Sequence, residues 1–193
     1  MITRRALLIA AGGTAAGLAA AAAVAHRAGA APAFLAACNL DGGEASHGAA
    51  ALDAQGRVLW QAALPARAHE AVFDPAGRLC ALVDRAPGRA IALCDLAGGA
   101  TLRRLHAPDD RSFDGHLVFT ADGSRVLATE SRLADQAGSL GLYAVATGRR
   151  EAGGLPTHGI EPHQLVWAAG LLVVANGGLV AGPAPGRSSP ASP

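Results

Sequence analysis

The sequence predicts an all-β fold: a β-propeller of four-stranded blades, with about three blades present and the ring incomplete. Three observations predict it. Histidines at 69, 116 and 163 each open a similar segment, so the chain repeats twice in succession at an interval of 47 residues, the length scale of a propeller blade. Each segment is a short apolar run, a tight turn and a second apolar run, the pattern of a β-hairpin. Beyond the first 30 residues, no stretch carries the i, i+3, i+4, i+7 apolar spacing of an amphipathic helix.

In chain order, residues 34–40 read as a strand with no inner strand before it, followed by strands at 48–52 and 58–64 around a turn at 53–56. The hairpin 69–84 and strands 91–96 and 101–105 make one complete blade over 69–106. The hairpin 116–130, the strand 140–145 and the segment 149–155 make a second over 116–155. Residues 163–176 supply only the two inner strands of another. Closed propellers have four or more blades. After Val180 the chain turns Pro-, Ser- and Gly-rich over 181–193, a composition that predicts a disordered tail. Residues 31–180 therefore read as a partial propeller, C-terminally truncated, with open sheet edges.

The first 30 residues read as an export signal. A basic start with Arg4 and Arg5 precedes an uncharged run over residues 6–25, and Ala28-Gly29-Ala30 follows. Basic, apolar and small-residue regions in that order mark a secretory leader. The paired arginines and the Gly-softened apolar run point to the twin-arginine route, hence to a periplasmic protein that meets the membrane only through its signal. The 193 residues carry 16 basic side chains, all arginine, against 15 acidic ones, a net charge of +1. Nucleic-acid proteins normally carry a clear basic excess, so no nucleic-acid partner is expected. With 4% aromatic residues a base-stacking surface is not expected either.

The runs Phe113-Asp114-Gly115-His116 with Phe119, Asp122 and Gly123, then Thr129-Glu130, His158-Gly159-Ile160-x-Pro162-His163-x-Leu165 and Val174-Ala175-Asn176-Gly177-Gly178 carry a family resemblance. They resemble a family of exported bacterial seven-bladed propellers, described as a domain of unknown function and related to YVTN-type (WD40-like) and amine-dehydrogenase β-chain-like propellers. The resemblance covers about residues 34–180. It implies a twin-arginine leader and, because such genes often sit beside imelysin-like iron-uptake genes, a periplasmic partner from an iron-uptake system. It assigns no catalytic residue.

Equivalent positions of successive blades lie at one height around a propeller axis, so His69, His116 and His163 are expected on one rim. Counting from the hairpin turns pairs them with Asp84, Glu130 and Asn176, an imidazole beside an oxygen acceptor in each blade. His158 and Glu161 approach from the loop leading to His163. Two readings compete. In one, each histidine hydrogen-bonds its acceptor and stabilises the hairpin mouth. In the other, His69, His116, His158 and His163 with Glu130 or Glu161 hold a transition metal, since neutral imidazole suits Fe, Cu, Zn or Ni.

Other candidates are weaker. No serine sits in a nucleophile-elbow setting, and Asp109, Asp110 and Asp114 lack the spacing of an EF-hand calcium loop. Cys80 and Cys94 fall on neighbouring strands and read as facing residues able to form a disulfide or to stay as small buried thiols. Trp60 and Trp167 read as core. The function expected is that of a non-enzymatic periplasmic binding protein of unknown ligand, linked to iron or another metal. The alternatives are a lactonase-like hydrolase with Glu130, Asn176 and Asp84 around a divalent ion, and a non-functional truncated copy.

Overall fold

The computed structural model describes residues 31–41 and 46–179; the leader with Arg4 and Arg5, Val180 and the 181–193 tail lie outside them. Among the described residues there are thirteen strands and no helix, in four antiparallel sheets. The first is β1 (Phe34–Asn39), β2 (His47–Leu52) and β3 (Val58–Ala63) in that order. The second is β4 (Ala68–Phe73), β5 (Leu79–Asp84), β6 (Ala90–Asp95) and β7 (Thr101–His106). The third is β8 (Arg111–Phe119), β9 (Arg125–Arg132), β10 (Ala137–Ala144) and β11 (Leu155–Ile160), and the last is the pair β12 (Pro162–Ala168) and β13 (Leu171–Asn176). Two four-stranded blades thus stand between a three-stranded and a two-stranded sheet, a propeller-like arrangement without a closed ring.

The turns repeat one device. Asp53, Asp74 and, in the third hairpin, Thr120 follow a strand and turn a side-chain oxygen back onto the turn amides, Thr120 Oγ1 accepting that of Arg125 at 3.1 Å. Asp74 Oδ1 accepts from the Arg78 and Leu79 amides at 2.6 and 2.7 Å, and Asp53 Oδ1 from those of Gln55 and Arg57, both at 2.9 Å. Glycine closes each turn with a positive φ, 76° at Gly56, 65° at Gly77 and 69° at Gly123, where a side chain would be strained.

Middle strands are apolar on both faces because each is packed on both. β5 and β6 are buried almost throughout, whereas the outer strand β7 is largely exposed. The core fills the gaps between neighbouring sheets. Leu59, Trp60, Leu82 and Cys94 pack between the first two. Val83, Ile91, Leu105, Phe113, Leu117 and Tyr143 pack between the two full blades. Leu127, Leu140 and Leu165 join the third sheet to the last hairpin. Indole N–H groups add polar ties across these gaps: Trp60 donates to the Leu96 carbonyl at 2.7 Å and Trp167 to that of Phe119 at 2.9 Å. Trp60 is core as expected, but Trp167 is 44% exposed, because β12 has only β13 beside it in its sheet.

The inner strands position the site. β4 packs against β1 and β8, and β8 against β12. Each of the three inner strands carries a break in register where its histidine stands: between Ala68 and Glu70, between Phe113 and Leu117, and between Pro162 and Gln164. Bulges bend a strand and re-aim the extra side chain, so the repeat delivers one redirected imidazole per sheet.

Candidate functional site

The three bulges bring His69, His116 and His163 together. Ring centroids are 4.9 Å apart for His69 and His116, 4.9 Å for His116 and His163, and 6.3 Å for His69 and His163, in edge-to-face contacts. The rim expected from the 47-residue interval therefore exists as a contiguous cluster. His69 and His163 are exposed, while the His116 side chain is only 12% exposed. His116 Nε2 is buried without a hydrogen-bond partner, an uncommon and costly state for a polar atom.

Carboxylates stand behind two of the rings. Glu70 Oε1 lies 3.4 Å from His116 Nδ1, too poorly aligned for a hydrogen bond since that nitrogen is also unpartnered. Glu70 Oε2 accepts the Leu117 amide at 2.9 Å, so this residue of β4 reaches the bulge of the next blade. Glu161 Oε1 lies 3.7 Å from His163 Nδ1, and its Oε2 accepts the Leu179 amide at 3.0 Å. Glu161 is buried and adopts a left-handed φ of 51°, which turns the chain from β11 into β12. A carboxylate at Nδ1 is the kind of neighbour that orients a ligating histidine.

His69 is held close by its neighbour. Gly115 has φ 105°, and a Cβ there would lie 2.8 Å from His69 Cδ2, so the missing side chain lets the ring lie against β8. The pKa of His69 is depressed, first by partial burial, then by the charges that His116, His163 and Arg85 would present, with Glu70 opposing them. Depression favours neutral imidazole, the ligating form. Among the described residues, however, no set of three or more His, Cys, Asp and Glu side chains stands as it is in a metal-holding arrangement.

Glu130 does not join the rim, whereas Asp84 and Asn176 lie opposite Ala68 and Pro162, next to His69 and His163. His116 was to pair with Glu130, but β8 begins at Arg111 and its bulge sets Glu130 opposite Phe113. Thr129 takes the place beside His116 instead, its Oγ1 accepting the His116 amide at 3.2 Å and donating to its carbonyl at 3.1 Å. Glu130 is fully buried, accepting from Tyr143 Oη at 2.6 Å and Arg150 Nη2 at 2.9 Å. Its oxygens are committed to the blade interior, which removes it from the ligand set. Asp84 accepts the Ala90 amide at 2.9 Å, and Asn176 Nδ2 donates to the Thr157 carbonyl at 3.1 Å. Asp84 and Asn176 are thus each held by a structural bond, while Glu130 is withdrawn into the blade.

His158 is exposed on β11 and makes no ring contact with the cluster. The loop expected to join it to His163 is instead the end of one strand and the start of the next. Asp109 and Asp110 are exposed, whereas Asp114 is buried and accepts from Ser131 Oγ at 2.8 Å. Cys80 and Cys94 face each other in register as buried free thiols. Glu70 and the bulges were missed by sequence reasoning, although Glu70 is the neighbour of His69 and stands 47 residues before Leu117.

Beside His69 a cleft of about 330 Å³ opens between β1 and β4, lined by Ala37, Cys38, Asn39, Arg67, Ala68 and His69.

Residues 62–190 match the family described as Protein of unknown function (DUF1513). No curated protein matches the chain in sequence. The solved structures similar to the chain include the following two. One, described as a crystal structure of the eukaryotic initiation factor, is 18% identical over 56% of this chain and 27% of its own, with a TM-score of 0.44. The other, dihydro-heme d1 dehydrogenase NirN in complex with DHE, is 17% identical over 63% of this chain and 27% of its own, with a TM-score of 0.47. The chain spans about a quarter of the length of either structure.

Proposed function

We propose that this chain, which belongs to the DUF1513 family, is a non-enzymatic binding protein that takes one transition-metal ion between His69, His116 and His163. The observation that carries the reading is the recurrence of the bulge. Three inner strands each give up a ladder pairing at the same repeat position, and the three released imidazoles meet. Three imidazoles bound to one ion at about 2.0–2.1 Å have ring centres roughly 5–6 Å apart, and the observed separations are 4.9, 4.9 and 6.3 Å. Binding requires the rings to turn from edge contacts to a shared point. The buried, unpartnered Nε2 of His116 gains a partner by that turn.

A neutral nitrogen set suits Ni, Cu, Zn or Fe over Ca or Mg. Export by the twin-arginine route to the periplasm, and service beside a periplasmic iron-uptake protein, belong to the same reading; they rest on the leader and on the family resemblance. Titration of the purified protein with Ni(II) in a calorimeter tests the site. One ion per chain is expected, with affinity reduced at least about tenfold in His116→Ala, since losing a ligand costs no less than losing an outer-shell partner, about 10–100-fold, and unchanged in His158→Ala. Absence of saturable binding, or a His116→Ala protein that binds like the parent, overturns it.

A further inference from the structure

The cleft beside His69 is larger than a metal ion needs. Its roughly 330 Å³ falls at the low end of small-molecule pockets, about 300–1,000 Å³. His69 belongs to both features: it lines the cleft and touches the other two imidazoles. Whatever fills the cleft is therefore in reach of an ion held by the cluster.

The residues that line the cleft include a cation and no acid. Arg67 lines it, and the Arg85 amide donates to the Arg67 carbonyl at 2.8 Å, which places the two arginines side by side across β4 and β5. Both are exposed, and among the described residues neither forms an ion pair with an acidic side chain. Arg85 is near enough for its charge to act on His69. Of the acids on β4 and β5 nearby, Glu70 is turned to Leu117 and His116, and Asp84 Oδ2 to the Ala90 and Arg89 amides. Asn39 adds an amide, and burial pushes the Cys38 thiol up, keeping it a neutral S–H in place of a competing thiolate.

We infer that the ligand is an anionic metal chelate, a metal ion already bound by a small polycarboxylate, with the ion at the histidine cluster and a free carboxylate in the cleft on Arg67 and Arg85. Three imidazoles leave open positions on a six-coordinate ion, and a tridentate carboxylate chelator fills them. The planar, multi-donor fork of arginine suits the carboxylate that remains. This inference rests on the metal-binding reading of the same histidines.

Equilibrium dialysis against Ni(II) alone, against citrate alone and against Ni(II)–citrate, with nickel and radiolabelled citrate counted separately, tests it. The expected result is retention of nickel and citrate one to one with the chain, at least about tenfold tighter than nickel alone, as charge-assisted bonds to two arginines provide. The Arg67→Ala/Arg85→Ala double variant should lose that advantage while binding bare nickel at least as tightly as the parent, since the Arg85 charge no longer acts on His69; both arginines are exposed, so the fold is not at stake. Nickel retained without citrate, or a double variant that still retains both, overturns the chelate and leaves the ion site standing. Retention of neither form overturns the ion site as well.

Discussion

Glu70 and His116 meet across a gap between sheets, with Glu70 Oε1 3.4 Å from His116 Nδ1 while its Oε2 accepts the Leu117 amide at 2.9 Å. One carboxylate from β4 thus reaches both the imidazole and the backbone of the bulge in β8. The two roles separate by substitution. Glu70→Ala leaves the Leu117 amide buried without a partner, which should cost about 1–3 kcal/mol in urea denaturation. Glu70→Gln keeps an acceptor for that amide and should recover most of the stability. It still removes the charge facing Nδ1, so its Ni(II) affinity should fall about 10-fold or more. Equal affinity in Glu70→Gln and the parent would show that the carboxylate serves only the backbone.

Gly115 makes the corresponding prediction for His69. Its φ of 105° and the 2.8 Å approach of a built Cβ to His69 Cδ2 leave no room for a methyl group unless the ring moves. Gly115→Ala should cost about 1–3 kcal/mol from the backbone alone and displace His69 from the cluster. Histidine C–H resonances of the variant should shift for His69 first and for His116, its 4.9 Å neighbour, next. A spectrum unchanged at both rings would show that β8 yields in place of the imidazole.

The strands were legible because the hairpins announce themselves: Asp53 with Gly56 and Asp74 with Gly77 are turn chemistry at a fixed offset, and their carboxylates hold the turn amides. The convergence of three histidines was legible from the 47-residue interval alone. The acceptor pairing was not. Counting outward from a turn assumes an unbroken ladder, and the bulge between Phe113 and Leu117 slips the pairing so that Thr129 faces His116 and Glu130 faces Phe113. A bulge is a property of two paired strands, and a single strand's alternation does not display it. Glu130 misled for a related reason. Its partners Tyr143 and Arg150 lie 13 and 20 residues away, on neighbouring chain segments that the histidine interval does not mark.

That buried trio carries a stability prediction. Glu130 is fully buried, bonded by Tyr143 Oη and Arg150, with Arg111 Nη1 a further 3.7 Å contact. Removing one partner of a buried pair strands its charge, at a cost of about 3–5 kcal/mol. Arg150→Met should fall at the low end, about 3 kcal/mol, because Arg111 remains beside the carboxylate. Metal affinity of the folded fraction should not change. A loss of Ni(II) binding in stably folded Arg150→Met would return Glu130 to the site.

Tyr143 reports on the same trio without any substitution, since the chain contains one tyrosine. Burial, the hydrogen bond to Glu130 and the charge of that carboxylate push its pKa well above the ordinary value, with Arg150 opposing them. A folded-state value raised above the unfolded one means stability that is fully present below the unfolded pKa, near 10, and lost as the pH climbs from there toward the folded value. The phenolate absorbance of the native protein should therefore stay flat through pH 10 and rise only with unfolding, whereas in urea it should titrate at the ordinary tyrosine value. Ring packing against Phe113, 5.5 Å between centroids, shields the hydroxyl from hydroxide as well as from water. A native titration centred near pH 10 would mean that the phenol is open to solvent and that Glu130 is not sealed inside the blade.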